Sequence, residues 1–308
     1  MNSPIALFLY NRPNHTLQTI NALLNCKECA QTPIYIFLDG PKSDASIFDL
    51  EQIAMVKNIA LSLNGFKSIK IIEQHVNLGL SKSLLNGISE VLQNFSNVIV
   101  LEDDICVAKD FLYYMNLALN QYQNDIRVAG ISGYSFPIGV KEPYFTRTGS
   151  CWGWGTYKRV WEHFIQEREK LDLNLIAASE LNLFNVYDGV YSNMFEQNKA
   201  KQIQSWAIEF YLYYFSQKQY FLMPGINLVS NVGFDGSGAH QKNGNFLTDN
   251  NPIGNLHEVK FPETVSEDLY IRKKIEKLYK IGYGNPNSLL TFFNKIKTLL
   301  LGNEKFNY

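Results

Sequence analysis

Between Ile5 and Leu101, four short apolar runs alternate with three longer amphipathic stretches, and this spacing restricts the fold more than any other feature of the chain. Ile5 to Tyr10, Ile34 to Leu38, Ile69 to Glu73 and Val98 to Leu101 have strand length and β-branched content. Pro13 to Leu24, Ile47 to Leu63 and Leu80 to Phe95, which lie between them, have helix length. Strands alternating with helices predict a parallel, doubly wound sheet, because parallel neighbours must be joined by right-handed crossovers.

Each predicted strand ends in polar residues: Asn11-Arg12, Asp39-Gly40, His75 to Asn77, and Glu102-Asp103-Asp104. Ligands of open α/β sheets bind beyond the carboxyl ends of the strands, so these four ends should share one cleft. Three adjacent carboxylates repel one another and are costly unless a cation or strong donor meets them. Mg²⁺ or Mn²⁺ bridging one or two carboxylates to a substrate diphosphate is the simplest partner; a solvated acidic turn is the alternative.

Arg12 precedes Pro13, which suits a first helical turn, so Arg12 is a fixed cation for a base or a phosphate oxygen. Asp39 can accept hydrogen bonds from a uracil or ribose edge, or can serve its own turn. Asn77 and Lys82 flank Gly79 where a helix opens and would offer N–H groups and an ammonium to phosphates. Their spacing is not that of a P-loop or a dinucleotide fingerprint.

Beyond the triplet the pattern predicts a helix over Phe111 to Tyr122 and a strand over Val128 to Ser132. Residues 171 to 200 read as polar and irregularly helical, followed by a helix from Ser205 and a strand over Tyr220 to Met223. Glycines interleaved with Trp152 and Trp154 form either a floor for a sugar ring or a buried aromatic turn. Asn227 to Val232 is strand-like and then gives way to glycines. That stretch is either a lid with Asp235 and His240 at its hinges or a plain surface loop. Two helices are expected at the end, Ser266 to Tyr279 and Leu289 to Leu301. The second closes the protein's own core, or else lies against a membrane surface or another subunit.

With 28 basic and 29 acidic residues the net charge is −1, so no general attraction to nucleic acid is expected. There is no leader-like N-terminal segment and no run of about 20 apolar residues, which predicts a cytoplasmic protein. Cys26 and Cys29 form a C-x-x-C, but no second pair or His cluster completes a zinc site.

On Leu9-Tyr10-Asn11-Arg12-Pro13, Leu38-Asp39-Gly40, Leu101 to Asp104, Gly153-Trp154-Gly155 and Asn227 to His240, residues 4 to 245 resemble the GT-A glycosyltransferases. Within them the chain is similar to bacterial enzymes related to N-acetylglucosaminyltransferase I. The resemblance implies a GT-A fold over residues 1 to 245, with 1 to 104 as the nucleotide-binding half, 105 to 245 as the acceptor half, and a helical extension over 246 to 308. It implies inverting, metal-dependent transfer from a UDP-sugar to an oligosaccharide or lipid-linked glycan in bacterial surface-polysaccharide assembly. By the same resemblance Arg12 and Asp39 hold the nucleotide, Asp104 binds Mn²⁺, and Glu102 and Asp103 contact sugar and ribose. The 233 to 240 loop would close over the donor. In the related enzymes an acid follows the tryptophan that matches Trp206, whereas here Ala207 follows it. Glu209 is then the first candidate base and Asp235 the second. Two rival readings are a sugar-phosphate nucleotidyltransferase and a non-catalytic glycan-binding protein. The first would normally carry a glycine-rich, lysine-containing loop where this chain has Tyr10-Asn11-Arg12-Pro13.

Overall fold

The structure, a computed structural model, describes residues 2–235, 247, 251–256 and 258–284. In chain order its elements begin β1 (Ile5–Leu9), α1 (Pro13–Leu24), β2 (Pro33–Leu38), α2 (Ile47–Ser62), β3 (Ser68–Glu73), α3 (Leu80–Asn94) and β4 (Asn97–Glu102). They continue with β5 (Ile105–Val107), α4 (Phe111–Gln121), β6 (Val128–Ser132), β7 (Tyr144–Thr146), β8 (Trp154–Tyr157), α5 (Lys158–Glu167), α6 (Leu181–Asn185), α7 (Val190–Lys199) and α8 (Trp206–Ser216). β9 (Tyr220–Met223), β10 (Val229–Asn231) and α9 (Leu269–Gly284) complete the set.

The local reasons are visible in the sequence. Pro13 occupies the first turn of α1, where a missing N–H costs nothing. Ser46 and Asp49 form a reciprocal capping box that starts α2. All five residues of β1 are buried, as expected for a strand covered on both faces, whereas β3 at the sheet edge is partly exposed.

The mostly parallel α/β architecture expected from the sequence is the one observed. Among the described residues the main sheet has eight strands in the order β3-β2-β1-β4-β8-β6-β9-β7. β3, β2, β1 and β4 run parallel, and their carboxyl ends emerge together. The sheet is nevertheless mixed, not wholly parallel, because β8 enters between β4 and β6 and is antiparallel to both. The expected Gly-Trp turn is this strand. Gly155 makes the insertion possible: a Cβ there would meet the Val98 carbonyl oxygen at 2.9 Å.

A second, two-stranded sheet pairs β10 with β5 in antiparallel register, Asn231 opposite Ile105. This pairing sets the segment after β10 beside the acidic end of β4. The C-terminal region packs onto the same core: Phe261 contacts Tyr114 and Tyr122, and Arg272 of α9 is 2% exposed. Residues 289 to 301 and His240 lie outside the described residues. No described helix is long and apolar enough to cross a membrane.

Candidate functional site

The end of β1 delivers Arg12, and the end of β4 delivers Glu102, Asp103 and Asp104. The Arg12 guanidinium spans two of the acids. Its Nη2 donates to Asp103 Oδ1 and lies 3.0 Å from Asp104 Oδ2, while Nε donates to Asp103 Oδ2 at 3.2 Å. Burial opposes the charge on Arg12, but the charges of Asp103 and Asp104 outweigh it and hold the guanidinium firmly protonated.

Glu102 is placed differently. No described donor hydrogen-bonds its carboxyl, and burial, together with the charges of Asp104 and Asp103, pushes its pKa up to about 8. Burial also raises Asp103, to about 6, against the lowering effect of Arg12. The triplet is thus only partly neutralised by the one guanidinium.

The segment following β10 covers this strand end. The Val232 N–H donates to the Asp104 carbonyl at 2.9 Å, and a Cβ on Gly233 would stand 2.2 Å from Asp104 Oδ2. Glycine is therefore needed for the approach. Two residues on, Asp235 Oδ2 lies 3.2 Å from Nε2 of His15, a buried residue in the first turn of α1. His15 also acts electrostatically on Asp103. Asp235 is thereby brought together with the triplet.

Glu209 is not brought there in the same way. On the first turn of α8, its carboxylate accepts from Arg168 Nε and, at 2.8 Å, from Asn198 Nδ2. Asp39 also satisfies internal donors: its two oxygens accept from Gly40 N, Leu78 N, Gly79 N and Asn77 Nδ2 at 2.8 to 3.1 Å. It clamps the end of β2 to the loop before α3, and Gly40 lets the chains close, since a Cβ there would lie 2.6 Å from Val76 backbone. Asn77 belongs to that clamp. Lys82, in the first turn of α3, makes no hydrogen bond or ion pair with a described residue.

An aromatic cavity of about 200 Å³ lies beside the covering segment, and none of Arg12, Glu102, Asp103 and Asp104 lines it. Trp152, Trp154, Trp206, Ala207, Tyr214 and Phe221 are among its walls, and among the described residues no charged side chain lines it. Cys151 joins the two regions: it lines the cavity, and its thiol, pushed up to about 12 by burial, also feels Glu102 and Asp104. Trp152 contacts Phe234 of the covering segment at a ring separation of 5.6 Å. Trp154 is 1% exposed and stacks on Trp206 at 5.2 Å, so its ring belongs to the aromatic core as well as to the cavity wall.

Sequence reasoning passed over His15, Gly233 and Cys151. His15 sits three residues beyond Arg12, and only the return of residues 231–235 across β5 gives that spacing meaning. Among the described residues no three His, Cys, Asp or Glu side chains form a ready metal cage.

No family model matches the sequence. Among solved structures, that of S. aureus TarS residues 1–349 aligns at 12% identity over 74% of this chain and 59% of that chain, with a TM-score of 0.40. The complex of the same TarS fragment with UDP-GlcNAc aligns at 15% identity over 55% of this chain and 48% of that chain, with a TM-score of 0.37. The chain spans about half the length of the solved structures it matches.

Proposed function

We propose that this chain is a GT-A-type glycosyltransferase that moves a sugar, with inversion, from a UDP-linked donor to a hydroxyl of a glycan acceptor. The observation that carries the reading is the meeting of Arg12, the Glu102-Asp103-Asp104 triplet and the Gly233 to Asp235 segment beside an uncharged aromatic cavity. A charged diphosphate suits the first part and a neutral sugar ring the second, since a buried unpaired charge in an apolar cavity is strongly unfavourable.

The donor set fits a divalent cation. Its oxygens are hard carboxylates, and Glu102 feels the negative charges of Asp104 and Asp103, only partly offset by Arg12, with no hydrogen-bond donor among the described residues. Mn²⁺ and Mg²⁺ commonly take one or two carboxylates and complete their shell with phosphate oxygens, so a cage of three side chains is unnecessary. Asp104 and Glu102 would hold the ion. What the ion supplies when bound is neutralisation of charge on the departing diphosphate.

The protein's own groups do the rest. Arg12 offers a planar fork of donors to phosphate oxygens. Asp235 takes the proton from the acceptor hydroxyl as that oxygen bonds to the anomeric carbon. The bond from that carbon to the diphosphate breaks, and its electron pair leaves on the phosphate oxygen. Glu209 is tied to Arg168 and Asn198, whereas Asp235 lies two residues beyond the glycine packed on Asp104, and that position makes Asp235 the base. Trp152, half-buried at the cavity and in contact with Phe234, sets the sugar plane.

A second reading has one specific observation in its favour. Ala207 lines the cavity where related enzymes carry an acid, as expected if the chain binds glycans without turning them over. Incubation with UDP-GlcNAc and Mn²⁺ separates the two: slow UDP release supports the transferase, and saturable sugar binding with no UDP release supports the binding protein.

A further inference from the structure

The acidic strand end already holds a cation of its own, the Arg12 guanidinium. Asp104 Oδ2 is 3.0 Å from Arg12 Nη2, and the Arg12 side chain is 21% exposed, so its charge is poorly screened. The same oxygen is hemmed in on another side by Gly233, and Arg12 Nη1 lies 3.1 Å from where a Cβ of that glycine would stand. A guanidinium cannot shed its proton and has no acceptor to offer a metal. A divalent ion approaching Asp104 Oδ2 must therefore compete with the ion pair to Arg12 and meet the repulsion of a fixed positive charge.

Phosphate oxygens remove that obstacle. They accept the same fork of donors that Asp103 and Asp104 now occupy, and they bring negative charge to both the guanidinium and the ion. Arg12 stands at the N-cap of α1 with non-helical backbone angles, outside the helix whose packing would fix its direction. We infer that Arg12 is a specificity-determining gate: it holds Asp104 against a divalent cation until an anion takes over the guanidinium. That the anion is a nucleoside diphosphate rests on the functional reading above; the competition for Asp104 rests on the geometry alone.

The test titrates Mn²⁺ alone into the full chain and follows the resonance of the free ion by electron paramagnetic resonance. Arg12→Gln and Arg12→Met both remove the charge and keep a side-chain stem, and thermal melting identifies which is folded. A neighbouring Arg charge lowers a carboxylate's affinity for a proton by about tenfold to a thousandfold, and a divalent ion meets twice the charge repulsion, so the neutral variants should bind Mn²⁺ at least about tenfold more tightly than the wild type. Equal or weaker Mn²⁺ binding by a folded neutral variant overturns the gate. If neither variant folds, the wild type decides: the gate predicts Mn²⁺ binding that strengthens at least about tenfold with inorganic sulfate or with UDP, and binding unchanged by both anions overturns it. Tighter Mn²⁺ binding in a folded variant, with UDP without effect on any protein, leaves the gate standing and retires the functional reading.

Discussion

His15 Nε2, in the first turn of α1, lies 3.2 Å from Asp235 Oδ2, although the two residues are separated by most of the chain. The contact exists because β10 pairs with β5 and returns the chain over the end of β4. If Asp235 takes the acceptor proton, Asp235→Asn should lower turnover on the order of 10²-fold or more while leaving donor binding nearly intact. His15→Gln, which keeps an N–H donor, should lose less than His15→Ala. UDP release from UDP-GlcNAc with Mn²⁺, read as kcat and KM separately, checks both; full turnover in Asp235→Asn would move the base elsewhere.

Glu209 should behave as a structural group. Its carboxylate joins α8 to Arg168 and to Asn198 of α7. Removing it strands a partly buried guanidinium, so Glu209→Ala should destabilise the fold by about 1–3 kcal/mol. Turnover of the folded fraction should stay within a few-fold of wild type. Denaturant unfolding alongside initial rates tests this, and a large fall in kcat at unchanged stability would restore Glu209 as the base.

The stack of Trp154 on Trp206, with ring planes 19° apart, ties β8 to α8 and forms part of the cavity wall. Trp206 is 5% exposed, and Trp206→Ala should cost about 3–5 kcal/mol. Trp152→Ala should cost less stability and should instead raise KM for the sugar donor. Melting curves and donor titrations separate the two, and equal destabilisation by both would contradict the placement of Trp152.

The acidic strand end sets a pH dependence for the ligand-free protein. Burial and neighbouring charges raise Glu102 from 4.5 to about 8, and burial raises Asp103 from 3.8 to about 6. Through that window the folded chain keeps protons that the unfolded chain has released. Their contribution is full below the unfolded pKa values and is lost as pH rises through the folded ones. Stability should therefore fall from about pH 4 to about pH 8, by at most about 1.4 kcal/mol per pH unit for each group. Glu102→Gln should flatten the upper part of the curve. Urea unfolding across this range checks it, and a slope unchanged by Glu102→Gln would show that the carboxyl does not titrate there.

Much of this architecture is legible in the sequence, and the reason is local. Runs such as Ile5 to Leu9 and Val98 to Leu101 are short, apolar and followed at once by polar residues, so strand and strand end are encoded together. The Arg12 and Glu102 to Asp104 ends could be assigned to one cleft because parallel strands present their carboxyl ends on one side. Strand β8 was not legible. Trp154 to Tyr157 is short and glycine-rich, and its place between β4 and β6 is dictated by partners distant in sequence. The same holds for His15, which acquires Asp235 only through the β10–β5 pairing. The clamp made by Asp39 was half legible: a turn aspartate was expected, but its donors at Leu78 and Gly79 come from the next crossover.

The central claim is that the carboxylates at the end of β4 hold a divalent ion that anchors a nucleotide-linked sugar, and thermal unfolding with paired ligands tests it most directly. For wild-type protein, UDP-GlcNAc and Mn²⁺ together should raise the melting temperature, by the equivalent of about 2.7 kcal/mol at a hundredfold excess over Kd, with each alone giving much less. Asp104→Asn, folded and otherwise unchanged, should lose the joint shift. A shift that survives in Asp104→Asn at full size, or that never depends on the metal, would contradict the account.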